Sequence, residues 1–295
     1  MRIGRCGLLA RAGARVLRRL LPVRGIGPLT NIVLGAPPPG SAPVAARARI
    51  GGVEFALDLR EALHRAVYLD LVSLELRRVV LPLLSPGELF VDAGANFGLW
   101  ALAAARRGCR VIAVEPVPPT RARLEENVRR NRLEDAIEVV GAALSDATGS
   151  LTLSIAGGES GQASVHPAAA GAVETFVVPA LTLDSLVGER AVRFLKIDVE
   201  GHEAALLRGA EGLLSAGRAA YVLIELSGEV IGRSGGSAAE LIDFLQARGY
   251  RFVRFVRANE GLAPRRSYRH PSLAQLRLGG HAGDALWAHE AVAKP

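Results

Sequence analysis

Short apolar segments alternate with amphipathic segments along most of this chain, and that alternation restricts the possible folds more than any other feature. Apolar strands are predicted at 88–93, 110–115, 137–141, 192–198 and 220–226. Amphipathic helices are predicted at 97–107, 119–131, 202–214 and 237–248. Because such alternation is typical of a parallel sheet covered by helices on both faces, we predict a doubly wound α/β fold.

Two regions depart from the simple alternation. The stretch 150–180 has the pattern of strand, Gly/Ser/Ala-rich loop and strand, which predicts a hairpin insertion where a plain doubly wound fold would have a helix. Segments near 250–257 and 284–290 are predicted to add an antiparallel edge, giving a mostly parallel sheet of seven strands. Before the sheet we predict a hairpin or strand at 53–59 and a helix at 73–84.

The basic residues are concentrated near the N-terminus. Residues 1–53 contain nine of the 36 Lys and Arg and no acidic residue, so residues 54–295 hold 27 basic and 29 acidic residues. A main domain with this nearly neutral balance lacks the basic surface that binds phosphate backbones. We therefore expect no nucleic-acid partner.

Residues 7–21 form a basic amphipathic pattern with an apolar stripe at helical spacing. Two interpretations stay open, a helix or leader segment beside the main domain and peripheral contact with the inner face of an anionic membrane. The Pro-rich segment 36–43 indicates a linker. We predict that residues 1–48 precede a single domain at 49–295 whose core spans 70–258.

Cysteine content and hydropathy favour a cytoplasmic protein. Cys6 and Cys109 are distant in sequence and form no C-x-x-C pair, so they predict neither a disulfide framework nor a cysteine zinc site. The sequence has no apolar run of the roughly 18 residues that a membrane span needs.

The first core strand ends in the sequence FVDAGANFG at 90–98 and leads directly into a helix, an arrangement typical of a nucleotide-binding crevice. Gly94 is expected to let a ligand approach the backbone, and Gly98 to let the helix pack closely on the sheet. Asn96 replaces the second glycine of the dinucleotide fingerprint and disfavours a diphosphate. Asp92 adds a carboxylate that suits a cationic sulfonium donor carrying an ammonium group.

Two further acidic positions extend this crevice. Glu115 closes the second strand, where an acidic side chain binds ribose hydroxyls in nucleotide-binding folds. Asp198 follows the fourth strand, which in a doubly wound sheet lies beside the first strand at the switch point. A Lys within an apolar strand needs a partner, and for Lys196 the candidates are Asp198 and Glu225.

The ordered segments FVDAGANFG, VIAVEP, GAALSDATG, LTLDSL and KIDVEGHEAALLRGA resemble the FkbM-type methyltransferase family over roughly residues 70–255. This resemblance implies a class I methyltransferase (Rossmann-like) fold, S-adenosylmethionine as donor, and O-methylation of hydroxyls on macrolides or glycans. The positions that match donor-binding positions are Asp92, Gly94, Asn96, Gly98 and Glu115, with Ala143 and Ser145 near the adenine.

A hydroxyl nucleophile benefits from a base that accepts its proton. The candidates for the catalytic group are Asp198, Glu200 and His202, with Lys196 beside them, and the first two rank ahead of His202. A divalent ion held by Asp198, Glu200 and Glu225 is an alternative way to activate the hydroxyl. Two other functions stay open, a nicotinamide-dependent oxidoreductase and a non-catalytic scaffold that uses its N-terminal helix.

Overall fold

The computed structural model describes residues 42–70, 76–156, 163–165, 172–227, 236–258, 272–277 and 282–292. The hypothetical helix at 7–21 lies outside these residues, as does most of the Pro-rich segment 36–43. Within the described residues, no helix combines the length and apolar character needed to cross a membrane.

The described strands form three sheets. In chain order the strands are β1 (Ala45–Ile50), β2 (Val53–Asp58), β3 (Leu89–Ala93), β4 (Arg110–Val114), β5 (Ile137–Val140), β6 (Ala143–Leu144), β7 (Gly149–Ala156), β8 (Ala163–Ser164), β9 (Ala172–Leu181), β10 (Val192–Ile197), β11 (Ala219–Ser227), β12 (Tyr250–Ala258) and β13 (Ala282–His289). The central sheet has seven strands in the order β12-β13-β11-β10-β3-β4-β5.

The central sheet confirms the doubly wound prediction. Strands β5, β4, β3, β10 and β11 pair in parallel, and β13 pairs antiparallel with both β11 and β12. The chain moves from β3 to β4 on one side, whereas β10 and β11 lie on the other, so the switch point falls between β3 and β10. Their carboxyl ends therefore open the crevice in which ligands bind in such folds.

Helices cover both faces of this sheet. In chain order they are α1 (Ala62–Tyr68), α2 (Leu99–Arg106), α3 (Pro118–Asn131), α4 (Leu183–Val187), α5 (Glu203–Arg208), α6 (Glu211–Ser215), α7 (Ala238–Gln246) and α8 (Leu273–Arg277). Alternate residues of the strands feed two separate apolar cores, with Phe90 and Phe194 on one face and Val91 and Leu195 on the other. This two-sided burial explains why the strands are almost continuously apolar.

Several local predictions were wrong. Residues 76–83 form a π-helical turn at Leu76–Val80 and a 3-10 turn at Leu81–Leu83 rather than a regular α-helix, because Pro82 lacks the N–H that an α-helix requires. The helix expected at 202–214 is divided between α5 and α6. Strand β1 begins at Ala45, so the boundary expected at residues 48 and 49 falls inside a strand.

The insertion confirms the predicted hairpin and also builds a separate sheet. Strands β7 and β9 pair antiparallel, and with β6 and β8 they form a four-stranded sheet in the order β6-β9-β7-β8. Leu153, Ile155 and Val178 form its small apolar core, which Val117 joins from the start of α3. The insertion is therefore anchored beside the carboxyl end of β4.

Candidate active site

The turn after β3, residues 94–98, has backbone N–H groups that donate to the end of β4 or to acceptors within the turn itself. The N–H groups of Gly94 and Ala95 donate to the carbonyl of Val114 at 3.0 and 2.9 Å, and that of Gly98 donates to the carbonyl of Ala95 at 2.9 Å. The turn is therefore fixed to the end of β4. We call residues 94–98 the donor turn below, after the ligand that their sequence predicts.

Gly94 is required by a contact between two loops. A Cβ at this position would lie 1.9 Å from the carbonyl oxygen of Asp198, and the φ angle of 79° also favours glycine. The structure thus differs from the expectation that the missing side chain makes room for a ligand. The space beside Gly94 is filled by the backbone of the loop that follows β10.

Gly98 also serves a different contact from the one expected. A Cβ there would lie 2.3 Å from Leu102 Cδ1 of α2 and 2.6 Å from Leu124 Cδ1 of α3, and φ is 96°. The residue therefore permits two helices to approach each other at the start of α2, rather than the packing of one helix on the sheet.

Asn96 adopts a left-handed backbone conformation with φ of 51°, which Asn tolerates better than most residues. Its side-chain Oδ1 accepts the N–H of Phe97 at 2.8 Å. Its own N–H donates to Glu115 Oε2 at 2.9 Å. Asn96 and Glu115, predicted to share one site, are thus brought into direct contact.

Glu115 is almost completely buried at the end of β4. Its Oε1 accepts the N–H of Val117 at 3.0 Å, while Oε2 accepts that of Asn96. Burial raises the pKa of Glu115 to about 7, although the two backbone N–H groups and the charge of Lys196 act in the opposite direction. A carboxyl group with this pKa changes its charge near neutral pH.

Lys196 bridges the tips of the two central strands. Its Nζ lies 3.2 Å from Asp92 Oδ1 and 3.4 Å from Asp198 Oδ2, and it donates to the carbonyl of Gly94 at 3.1 Å. Burial lowers the pKa of Lys196, but the charges of Asp198 and Asp92 outweigh this effect and raise it. The expected partner Asp198 is confirmed, whereas Asp92 was not anticipated.

Asp92 occupies a deeper position than its sequence suggested. The side chain is fully buried and lies in register with Lys196 on the adjacent strand. Burial raises the pKa of Asp92, and the charge of Lys196 partly offsets that increase. Its direct contact with a donor stays a prediction, since this carboxylate has no exposed surface in the structure.

Asp198 is the accessible carboxylate of this group, with a side chain that is 38% exposed. The loop beyond it contains Glu200 in a left-handed conformation with φ of 52°, followed by Gly201 with φ of 100°. Non-glycine residues held in this conformation are often found where a functional group must be aimed. Both favoured candidates for the catalytic base therefore lie on one sharply turned loop at the crevice.

Glu203 holds this loop and was not assigned a role from the sequence. Its Oε1 accepts the N–H groups of Val199 at 3.3 Å and Gly201 at 3.2 Å, and burial raises its pKa. An acidic residue in the first turn of a helix is a recognisable signal for such a contact. The position of Glu203 in the first turn of α5 could have identified it.

His202 and Ser145 meet although 57 residues separate them. His202 Nε2 lies 2.9 Å from Ser145 Oγ at the start of α5. The loop between β10 and α5, residues 198–202, is called the acidic loop below. Ala143 is buried in β6 two residues before Ser145, so the predicted adenine-side positions lie near α5, the helix that follows this loop. His202 contacts this predicted adenine side.

The charge arrangement fits a cationic ligand. The carboxyl groups of Asp92, Glu115 and Asp198 surround the ammonium group of Lys196, and burial raises the pKa of the first two. A positively charged ligand would favour the ionised forms of Asp92 and Glu115, whereas a diphosphate would be repelled. The residues therefore fit a sulfonium donor with an ammonium group.

No three His, Cys, Asp or Glu side chains in the described ranges come close enough together to hold a metal ion. Asp198, Glu200 and Glu225 accordingly do not form such a group. Glu225 lies on β11 in register with Asp284 of β13.

Comparison with known proteins identifies a family. Residues 92–252 match the model of the methyltransferase FkbM domain, a range that begins at Asp92 and includes the whole acidic loop. The AMB antimetabolite synthetase AmbE of Pseudomonas aeruginosa is 27% identical over 242 residues, which cover 68% of this chain and 11% of that protein. The 23S rRNA (uracil(1939)-C(5))-methyltransferase RlmD of Azoarcus sp. is 38% identical over 96 residues, covering 32% of this chain and 22% of the relative.

Among solved structures, methyltransferase FkbM from Methylobacillus flagellatus has 17% sequence identity and a TM-score of 0.43. The match covers 70% of this chain and 44% of that one. The chain thus spans only a minor part of the length of each of these relatives.

Proposed function

The chain belongs to the FkbM methyltransferase family, and from this premise we propose that it transfers a methyl group from S-adenosylmethionine to a hydroxyl oxygen. The acceptor class that we propose is a sugar-like or secondary-metabolite hydroxyl, as small molecule or glycan. When bound, this cofactor supplies a methyl group attached to positively charged sulfur, which makes the methyl carbon electrophilic.

The proposed donor position lies across the tips of β3, β4 and β10. The donor turn would support the amino-acid end of the donor, and Glu115 would accept hydrogen bonds from its ribose hydroxyls. Ala143 and Ser145 would lie toward the adenine. Asp92 would act through its charge and through Lys196, since it is fully buried.

The single observation that carries the catalytic proposal is the position of Asp198. Of Asp92, Glu115 and Asp198 it is the one whose side chain is accessible, and its Oδ2 lies 3.4 Å from Lys196 Nζ. An accessible carboxylate in this position can accept the proton of an acceptor hydroxyl as the oxygen attacks the methyl carbon. Because methyl transfer otherwise depends on alignment and exclusion of water, the remaining residues serve mainly to position the reactants.

Asp198→Asn provides the first test of this function. We expect wild-type protein to bind S-adenosylmethionine in calorimetry and to methylate at least one member of a panel of glycan, macrolide and phenolic hydroxyls. The Asn variant should lose about 100-fold or more in kcat because it cannot take up the proton. Asp243→Asn is the matched control. Asp243 lies on α7 and pairs with Arg277 of α8, outside the group around Lys196, so its replacement should leave kcat unchanged.

Each outcome separates the alternatives. Binding of a nicotinamide cofactor instead of S-adenosylmethionine would favour the oxidoreductase, and absence of binding to either would favour a scaffold. Equal kcat for both Asn variants would remove Asp198 from the role of base and leave Glu200 as the next candidate.

A further inference from the structure

Two asparagines on α3 take the place of a partner strand along the free edge of β2. Asn131 Oδ1 accepts the N–H of Glu54 at 2.9 Å, and its Nδ2 donates to the carbonyl of Glu54 at 2.6 Å. One helical turn earlier, Asn127 Oδ1 accepts the N–H of Ala56 at 2.7 Å. The spacing of four residues places both amides on the same helix face.

Asn127 makes one contact that Asn131 lacks. Its Nδ2 donates to the carbonyl oxygen of Phe97 at 2.9 Å, inside the donor turn. Asn127 and Phe97 are both completely buried, so no water competes for this bond. A single amide thus joins the β1–β2 hairpin to the donor turn.

The Phe97 carbonyl lies between two residues of the donor turn that adopt left-handed backbone conformations. Asn96 and Gly98 on either side of it both have positive φ angles, of 51° and 96°. A non-glycine residue such as Asn96 adopts this backbone conformation at an energetic cost, so the conformation persists only where surrounding contacts fix it. The N–H of Phe97 is held by Asn96 itself, whereas its carbonyl is held by Asn127 alone among the bonds of the described residues.

The Phe97 side chain is anchored to the same region. Its ring contacts those of Phe55 on β2 and His64 on α1 edge to face, with centroid distances of 5.8 and 4.3 Å. The hairpin and α1 therefore hold the side chain of Phe97, while Asn127 of α3 holds its main-chain carbonyl.

We propose that Asn127 is a positioning residue for the donor, which it serves by fixing the carbonyl of Phe97 and with it the shape of the donor turn. This inference rests on the proposed use of that turn for S-adenosylmethionine. The inference also assigns a role to the β1–β2 hairpin, which lies outside the family match. The hairpin would support the donor turn through Asn127, which forms hydrogen bonds with both Ala56 and Phe97.

Asn131 offers a matched control on the same helix. Asn127→Asp and Asn131→Asp each retain the oxygen that accepts a β2 N–H and each replace the donating NH₂ with a carboxylate oxygen. Both should lower thermal stability to a similar extent, because each places a buried carboxylate opposite backbone carbonyls. Only Asn127→Asp places that oxygen against Phe97.

Calorimetry with S-adenosylmethionine and amide hydrogen exchange of the donor-free protein give two independent readouts. We expect Asn127→Asp to weaken donor binding about 10-fold or more, whereas Asn131→Asp stays close to wild type. Exchange at residues 96–99 should become faster in Asn127→Asp only. If either Asp variant fails to fold, Asn127→Ser and Asn131→Ser repeat the comparison without a buried charge.

The outcomes distinguish this inference from the proposed function. Absence of binding in the wild type would contradict the function, while the exchange data would still judge whether Asn127 holds the turn. Equal affinities and equal exchange in the two variants, with a wild type that binds, would overturn the inference.

Discussion

At the scale of single residues, Glu115 is a buried carboxyl group whose pKa of about 7 makes its charge sensitive to pH near neutrality. Burial raises its pKa from an ordinary value of 4.5 to about 7, against the stabilising effect of two backbone N–H groups. Lys196 and Asp92, which also face it, act in opposite directions, the first lowering and the second raising this pKa. The protein therefore maintains a carboxyl group that readily holds a proton at the proposed ribose position.

This predicts how the stability of the donor-free protein depends on pH. The unfolded chain releases the Glu115 proton near pH 4.5, whereas the folded protein keeps it until about pH 7. Stability should consequently fall across this window by about 3 kcal/mol from this group alone. Urea unfolding of wild type and Glu115→Gln from pH 4.5 to 8 measures the effect, which should be missing from the variant.

Donor binding should show the opposite trend. An ionised carboxylate is the stronger acceptor for ribose hydroxyls, so affinity for S-adenosylmethionine should rise through pH 7 as protons are released. Calorimetry in two buffers of different ionisation enthalpy measures that release. The pKa of about 7 for Glu115 would be contradicted if wild type and Glu115→Gln showed the same change of unfolding free energy with pH and if the affinity of wild type for S-adenosylmethionine did not depend on pH.

The sequence predicted which residues form the candidate site more accurately than it predicted the contacts between them. The sequence placed Lys196 beside Asp198, because two residues of one strand separated by a single position share a face. It did not place Lys196 beside Asp92, since the register between strands that are about 100 residues apart depends on the whole sheet. The role of Gly94 was misjudged for the same reason, as the atom that excludes a side chain belongs to Asp198.

At the scale of elements, the break between α5 and α6 has a tertiary cause. A Cβ at Gly209 would lie 1.9 Å from the carbonyl oxygen of Ser145, on a segment 64 residues earlier. The N-terminus of α6 is then capped by Asp184 of α4, whose carboxylate accepts the N–H groups of Gly212 and Leu213 at 2.7 Å. The helical periodicity of residues 202–214 does not reveal the contact with Ser145 or the cap by Asp184. The sequence therefore predicted one continuous helix.

Gly209→Ala should therefore destabilise the protein although its backbone conformation permits any residue. We expect a loss of about 1–3 kcal/mol in the free energy of unfolding, because the methyl group meets backbone rather than a movable side chain. Gly149→Ala is the control, since a Cβ there has no neighbour within 4 Å. Equal unfolding free energies for the two variants, measured in urea, would show that the Ser145 contact is loose.

The strands were predictable to within about two residues because their burial on both faces leaves an apolar run with turn residues at each end. The insertion was recognised as a hairpin from the two alternating segments around its loop. Its growth into a sheet with β6 and β8 was not predictable, because those strands contain only two residues each and carry no periodic pattern.

At the scale of the whole molecule, the contacts described around the candidate site involve residues from Val44 onward. The carbonyl of Val44 accepts the N–H of Leu59, and β1 then pairs antiparallel with β2, so that Ala48 and Phe55 belong to the same apolar core. The hairpin is thus part of the structural unit that contains the donor turn, although it precedes the family match.

Two truncations test where this unit begins. A protein lacking residues 1–41 should bind S-adenosylmethionine like the full chain, because no described site contact is lost. A protein lacking residues 1–51 loses β1 and should unfold at least about 5 °C lower in a thermal scan. If the shorter deletion abolished binding, the first 41 residues would have to contribute to the site directly.

The order of strands in the central sheet also bears on how the protein is made. Within the described sheet, β12 has β13 as its neighbour and reaches β11 only through it, yet β13 follows β12 in the chain by more than twenty residues. A ribosome therefore releases β11 and β12 as strands with open edges before the strand that joins them has been translated. During that interval the nascent polypeptide exposes surfaces prone to mispairing, so slowing translation after residue 258 should increase its dependence on chaperones.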